Sequence, residues 1–74
     1  MKTIGIIIKE ERTLRNWTQT YLAEQINVTQ DSISLWEKDK RIPDTQYIIA
    51  LCKIFKISAD YLLGINDFQN GNKF

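Results

Sequence analysis

Histidine is absent from this 74-residue chain, and cysteine occurs once, at Cys52. These two shortages remove the commonest zinc ligands and the usual general base. Neither a zinc site nor a triad or Cys–His nucleophile is expected. No cofactor motif or catalytic constellation takes their place, so the chain does not read as an enzyme and no cofactor or metal is expected. One cysteine forms no internal disulfide, which suits a reducing, cytoplasmic setting. Long apolar runs are missing too. Ile4 to Ile8 is too short to cross a bilayer and Lys9 and Glu10 follow at once, so neither a membrane span nor a signal peptide is expected. An excess of one charge is also lacking, since ten Lys and Arg stand against nine Asp and Glu. Between Gln19 and Pro43 the balance is −1, with Lys38, Lys40 and Arg41 against Glu24, Asp31, Glu37 and Asp39. A broad basic face is thereby excluded. Any phosphate binding has to rest on helix N-termini and a few placed cations.

What the chain does contain is helical periodicity, and its 43% apolar and 26% charged residues suit one small folded domain. The pattern predicts five helices and no strand of useful length. Thr3 can cap a first helix running to about Arg15, with Ile4 and Ile8 on one face. Gly5 is expected to weaken its start by roughly 1 kcal/mol relative to Ala. Asn16 stops this helix and Trp17 enters the core. Thr18 caps a second helix carrying Tyr21, Leu22 and Ile26, and Thr29 caps a third that ends near Lys38. Pro43 closes a charged loop, and Asp44 caps a fourth helix with Ile48, Leu51, Cys52 and Phe55 on one face, where Cys52 reads as a buried apolar filler. Ser58 caps a short fifth helix, and Gly64 stands at its C-terminus. Residues 1–64 thus form the folded domain. Residues 65–74, rich in Asn, Gly and Gln, read as a polar, flexible tail.

Gln19 to Glu37 is the most informative stretch, because it reads as two short helices joined by a tight turn. Ala23 is small where the helices cross, and Asn27 suits a left-handed residue after the first of them. Val28, Ile33 and Trp36 are apolar anchors for the second. This layout is a helix-turn-helix, whose second helix can lie in the major groove of DNA. With Ile33 taken as inward at 100° per residue, Trp36 and Glu37 fall within about 60° of it. Asp31, Ser34, Leu35 and Lys38 form the opposite stripe, a slim surface for a groove about 12 Å wide.

Each outward residue has a bland reading beside the functional one. Gln30 is either a solvated first-turn residue or an amide able to pair bidentately with adenine. Asp31 either complements the helix dipole or accepts from cytosine N4. Ser34 bonds many base edges and discriminates little. Leu35 is either an ordinary exposed leucine or a contact to a thymine methyl. Lys38 suits a phosphate better than a base. Thr18 and Gln19 open the second helix, where unpaired N–H groups favour a phosphate, with simple capping as the alternative. Thr29 opens the third helix in the same way. Lys40 and Arg41 are placed to reach a backbone strand, or else line a solvated loop.

The ordered set Arg12, Thr18-Gln19-x-x-Leu22-Ala23, Asn27-Val28-Thr29, Ile33-Ser34-x-Trp36-Glu37, Pro43 and Ser58-x-Asp60-Tyr61-Leu62-Leu63-Gly64 resembles the phage repressor and Cro type of helix-turn-helix, also called XRE-like. The resemblance covers roughly residues 3 to 64. It implies an all-α, five-helix lambda-repressor-like domain and a structural ion pair between Arg12 and Glu37. It further implies phosphate contact by Gln19, base contact by Gln30, Asp31 or Leu35, and backbone contact near Lys38 to Arg41. Asn27 departs from the glycine usual in that turn, and Asp31 and Leu35 stand where many relatives carry polar or basic readers. The resulting expectation is a sequence-specific regulator of transcription that binds double-stranded DNA as a homodimer on a near-palindromic site, acting as a repressor. The dimer contact is expected at the fifth helix and tail, where Ile57, Tyr61, Phe68 and Phe74 offer apolar surface. Neither a membrane nor a small-molecule ligand enters this expectation. The alternative is a protein-interaction module, antitoxin-like, that uses the same fold against a partner protein.

Overall fold

Hydroxyl side chains start four of the five helices in the computed structural model, which describes residues 2–64. Thr3 caps α1 (Ile4–Leu14), Thr18 caps α2 (Gln19–Gln25) and Thr29 caps α3 (Gln30–Glu37), each accepting from the backbone N–H three residues on. Ser58 does the same for α5 (Ala59–Leu62). Each such oxygen satisfies a donor that the helix itself leaves open. Asp44 holds the corresponding place before α4 (Thr45–Phe55), but contrary to expectation its carboxylate makes no capping bond. Its charge beside the helix N-terminus is still favourable. Among the described residues all regular structure is helical.

The helix ends follow a second rule. Asn16, Asn27, Asp39, Lys56 and Gly64 have positive φ, and each lies just past or at the end of one helix. A left-handed residue there turns the chain while the last carbonyls find N–H partners. Trp17 N–H, for instance, reaches back to Arg12 O at 3.1 Å, and Val28 N–H to Ala23 O at 3.0 Å.

Ile7, Ile8, Leu22, Ala23, Ile26, Ile33, Trp36, Leu51, Phe55 and Leu62 form one buried cluster. Ile7 was not singled out by the sequence pattern, and Ile4 is only half-buried. Trp17 packs on the side of this core, its ring 6.0 Å from Phe55 and 5.2 Å from Tyr21. Arg15 closes that corner, donating to Phe55 O at 2.7 Å with its guanidinium 5.1 Å from the Phe55 ring centroid. Cys52 is half-buried rather than sealed in the core. Burial nonetheless pushes its thiol up, away from the reactive thiolate.

Gly5 differs from its expected role. It is buried where α1 meets the end of α3, and an added Cβ would lie 2.3 Å from Trp36 O. Its N–H donates to Asp39 Oδ1 at 3.0 Å, and the Thr3 hydroxyl donates to Asp39 Oδ2 at 2.6 Å. Asp39 therefore ties the far end of α3 to the first turn of α1. The expected tail, 65–74, with Phe68 and Phe74, lies outside the described residues.

Candidate nucleic-acid interface

Three contacts hold α3 in place before any ligand is considered. Its inward residues Ile33 and Trp36 are in the core, and Ala23 is buried where α2 and α3 pack together. Asp39 anchors its C-terminal end, as above. The third contact is ionic. Arg12 Nε donates to Glu37 Oε2 at 2.7 Å and Nη2 donates to Oε1 at 3.0 Å, a two-pronged pair. Arg12 Nη1 also donates to Trp17 O at 2.7 Å. The two side chains are 11% and 3% exposed, so the pair sits inside the fold and α1 is locked to α3.

Outward from Glu37 the polar contacts continue toward the surface. Gln19 Nε2 donates to Glu37 Oε1 at 2.9 Å, and Gln30 Nε2 donates to Gln19 Oε1. Gln19 is thus half-buried and held on both sides, an arrangement that its place at a helix start does not disclose. One amide N–H of Gln19 is left over, as is one N–H and the carbonyl oxygen of Gln30.

The remaining expected residues are disposed around this point. Gln30, Asp31 and Lys38 are exposed along α3, and Ser34 and Leu35 are half-buried on the same stripe. The stripe is therefore shallower than the helical projection alone implied. Thr18 and Thr29 are exposed, with their oxygens engaged as caps, and the Thr29 hydroxyl also pairs with Ser32 Oγ at 3.0 Å. Lys40 and Arg41 are exposed past the end of α3, their N–H groups turned back onto Leu35 O. A groove of about 370 Å³ flanks the other side of α3, lined by Ser32, Trp36, Arg41, Ile42, Asp44 and Tyr47. Ile57, just before α5, and Tyr61, on it, are half-buried and pack against the core, so only part of each is left as surface at this end of the domain. Asp39 and Gly5 are the positioning residues the sequence reading missed. An Asp just past the expected end of α3 was the available signal for Asp39, since Asp tolerates the left-handed conformation needed there.

No helix among the described residues is long and apolar enough to cross a membrane. They also hold no cluster of three His, Cys, Asp or Glu suited to a metal ion.

A helix-turn-helix family model matches residues 8–62. The HTH-type transcriptional regulator ImmR of Bacillus subtilis (strain 168) is 34% identical over 71 residues, 96% of this chain and 56% of its own length. The HTH-type transcriptional activator BcrR of Enterococcus faecalis is 38% identical over 56 residues, 76% of this chain and 28% of its own. The chain thus spans about half the length, or less, of these curated relatives. Among solved structures, the P22 c2 repressor in complex with synthetic operator 9T superposes with a TM-score of 0.81 at 30% identity, over 85% of this chain and 96% of that one. The solution structure of the P22 c2 repressor DNA-binding domain gives 0.79 at 28% identity, over 96% and 92%. Fold, locked α3 and sequence agree, and this chain belongs to the helix-turn-helix family of the phage repressor and Cro type.

Proposed function

We propose that this chain is a sequence-specific double-stranded DNA-binding regulator of transcription that acts as a repressor, by occlusion of a promoter. The observation that carries this reading is the immobilised α3. Its buried face is fixed by Arg12–Glu37 and Asp39, while Gln30, Asp31, Ser34, Leu35 and Lys38 are left along the other. A rigid rod with short outward side chains is what readout in the major groove requires. The P22 c2 repressor, solved on its operator, lends the same reading its structural precedent.

Within this proposal Gln30, Asp31, Ser34 and Leu35 meet base edges. Thr18, Gln19, Thr29, Lys38, Lys40 and Arg41 meet phosphates on either side. A near-neutral domain of this size has little electrostatic affinity of its own. Pairing as a homodimer on a near-palindromic site, with half-sites about one helical turn apart, raises the affinity without more charge. A cytoplasmic location belongs to the same proposal.

In vitro selection of bound DNA from a random pool tests it. A palindromic consensus is expected, and failure to enrich any sequence would sink the reading. Gln30→Ala is expected to weaken binding to that consensus by about 1–3 kcal/mol and to relax one position of it. Lys38→Ala should weaken all sequences alike and reduce the salt slope by about one, as for any lost phosphate contact. Titrations at several salt concentrations separate the two effects.

The antitoxin-like alternative draws on exposed apolar side chains, Leu14 and Ile42 each being 74% exposed. A protein partner captured equally well by wild type and by Gln30→Ala, with no DNA consensus, would favour it.

A further inference from the structure

A side-chain amide has two ends of nearly equal shape, and which end points where is settled by its hydrogen-bond partners. In this fold the settling partner is buried. Glu37 is a carboxylate and can only accept. Its Oε1 already receives Arg12 Nη2, and it faces the Gln19 amide at 2.9 Å. The end of Gln19 that faces Glu37 has to be the nitrogen. Its carbonyl Oε1 is then directed at Gln30, and an oxygen there has to be met by a donor. Gln30 accordingly turns its Nε2 toward Gln19. Reversing either amide would set nitrogen against nitrogen or oxygen against oxygen.

We infer that Glu37, buried and out of reach of any ligand, is a specificity-determining residue. Through Gln19 it dictates the order in which Gln30 presents its donor and its acceptor to a base. The inference rests on the DNA-binding reading above and deepens it. With the relay intact, the remaining N–H of Gln30 lies on the Gln19 side and its Oε1 on the other. That order matches a base edge carrying an acceptor beside a donor in one direction only, as adenine N7 and N6–H do. A free Gln30 could turn over and match the same pair of groups in the opposite direction, or settle for single contacts. The buried ion pair thus does two things: it locks α1 to α3, and it sets the polarity of an amide chain that ends at the surface.

A purely structural Glu37 would affect stability and overall affinity but leave base preference alone, and this difference is the test. Selection from a random pool is run with wild type, with Gln19→Leu, and with the double variant Arg12→Met/Glu37→Leu. The double variant removes both charges together, so that neither is stranded in the interior. Overall affinity falls in Gln19→Leu, which also loses a proposed phosphate contact, so preference at each position is the quantity compared. At the position lost in Gln30→Ala, wild type should favour one base, and both variants should reduce that preference by about fivefold or more. Preference at the other positions should persist. An unchanged preference in Gln19→Leu overturns the relay even if the double variant fails to fold. An unchanged preference in the double variant alone overturns the role of Glu37. No enrichment with wild type removes the DNA-binding reading and the relay together, and is told apart from the other failures because it occurs before any substitution. Side-chain amide resonances give a second measurement. The Gln19 NH₂ pair should be shifted and slowed in exchange in wild type, and should move to ordinary solvated values in the double variant; ordinary values in wild type would count against the relay.

Discussion

Arg12→Ala is expected to lower the stability of the fold by about 3–5 kcal/mol, because it strands the Glu37 carboxylate in the interior. The magnitude follows from burial. An ion pair on the surface is worth about 0–1 kcal/mol, since water and salt already solvate and screen both charges. Here the side chains are 11% and 3% exposed, and each prong of the guanidinium has a partner. The deletion also frees Trp17 O and leaves Gln19 as the remaining donor to Glu37. Small domains are stable by only about 0.05–0.15 kcal/mol per residue, so such a loss consumes much of what this one has. At about 4–8 °C per kcal/mol, the thermal midpoint should fall by on the order of 12 °C or more. The double variant Arg12→Met/Glu37→Leu should recover most of that, since it removes the desolvation cost along with the attraction. Thermal and urea melts of the two variants check both statements. A melt of Arg12→Ala that overlays wild type would show that the pair contributes nothing, despite its burial.

That pair shows what the residues disclosed in advance and what they did not. Helical projection from Ile33 placed Glu37 inward, and the resemblance supplied Arg12 as its partner. Both are local or patterned features, so the line of sequence carries them. Helix starts were legible for the same reason, since Thr3, Thr18, Thr29 and Ser58 act on N–H groups three residues away. Ends marked by Asn16, Asn27 and Gly64 were legible too, because those residue types favour left-handed backbone. Lys56 and Asp39 adopt the same conformation with no such preference written in Lys, and only a mild one in Asp. What the Asp39 carboxylate does there is set 34 residues away, by the N–H of Gly5. The candidate interface divides along the same line. Asp31, Ser34, Leu35 and Lys38 could be named from helical period, and Gln30 from its place at the start of the helix. The tethering of Gln19 to Glu37 and Gln30 depends on how α2 is set against α3, and that is a matter of tertiary packing.

Gly5→Ala is where the two kinds of information give opposite signs. Intrinsic propensity favours alanine in a helix by about 1 kcal/mol, so on sequence grounds the substitution should stabilise. The fold says otherwise. A Cβ at this position would lie 2.3 Å from Trp36 O, 2.6 Å from Asp39 Oδ1 and 2.9 Å from Asp39 Cγ. The Asp39 side chain could swing aside, but only by giving up its bonds to Gly5 N–H and to the Thr3 hydroxyl. Trp36 O is backbone of α3 and cannot move without moving that helix. Overpacking of this kind costs about 1–3 kcal/mol, and a lost hydrogen bond to a charged group about 1.5–3 more. Set against the propensity gain, the net expectation is a loss of about 1.5–5 kcal/mol, with the first turn of α1 pushed off the end of α3. Asp39→Ala should cost less than Gly5→Ala, because it removes the bonds without the clash against Trp36 O. Combining the two should cost less than their sum, since both act on one contact. Melts of the three variants measure this. A stabilised Gly5→Ala would mean that the first turn of α1 leaves room for a methyl group beside Trp36 O, against the packing described. A destabilised one with weakened DNA binding would tie the pitch of α3 to a glycine that lies on another helix and outside the interface.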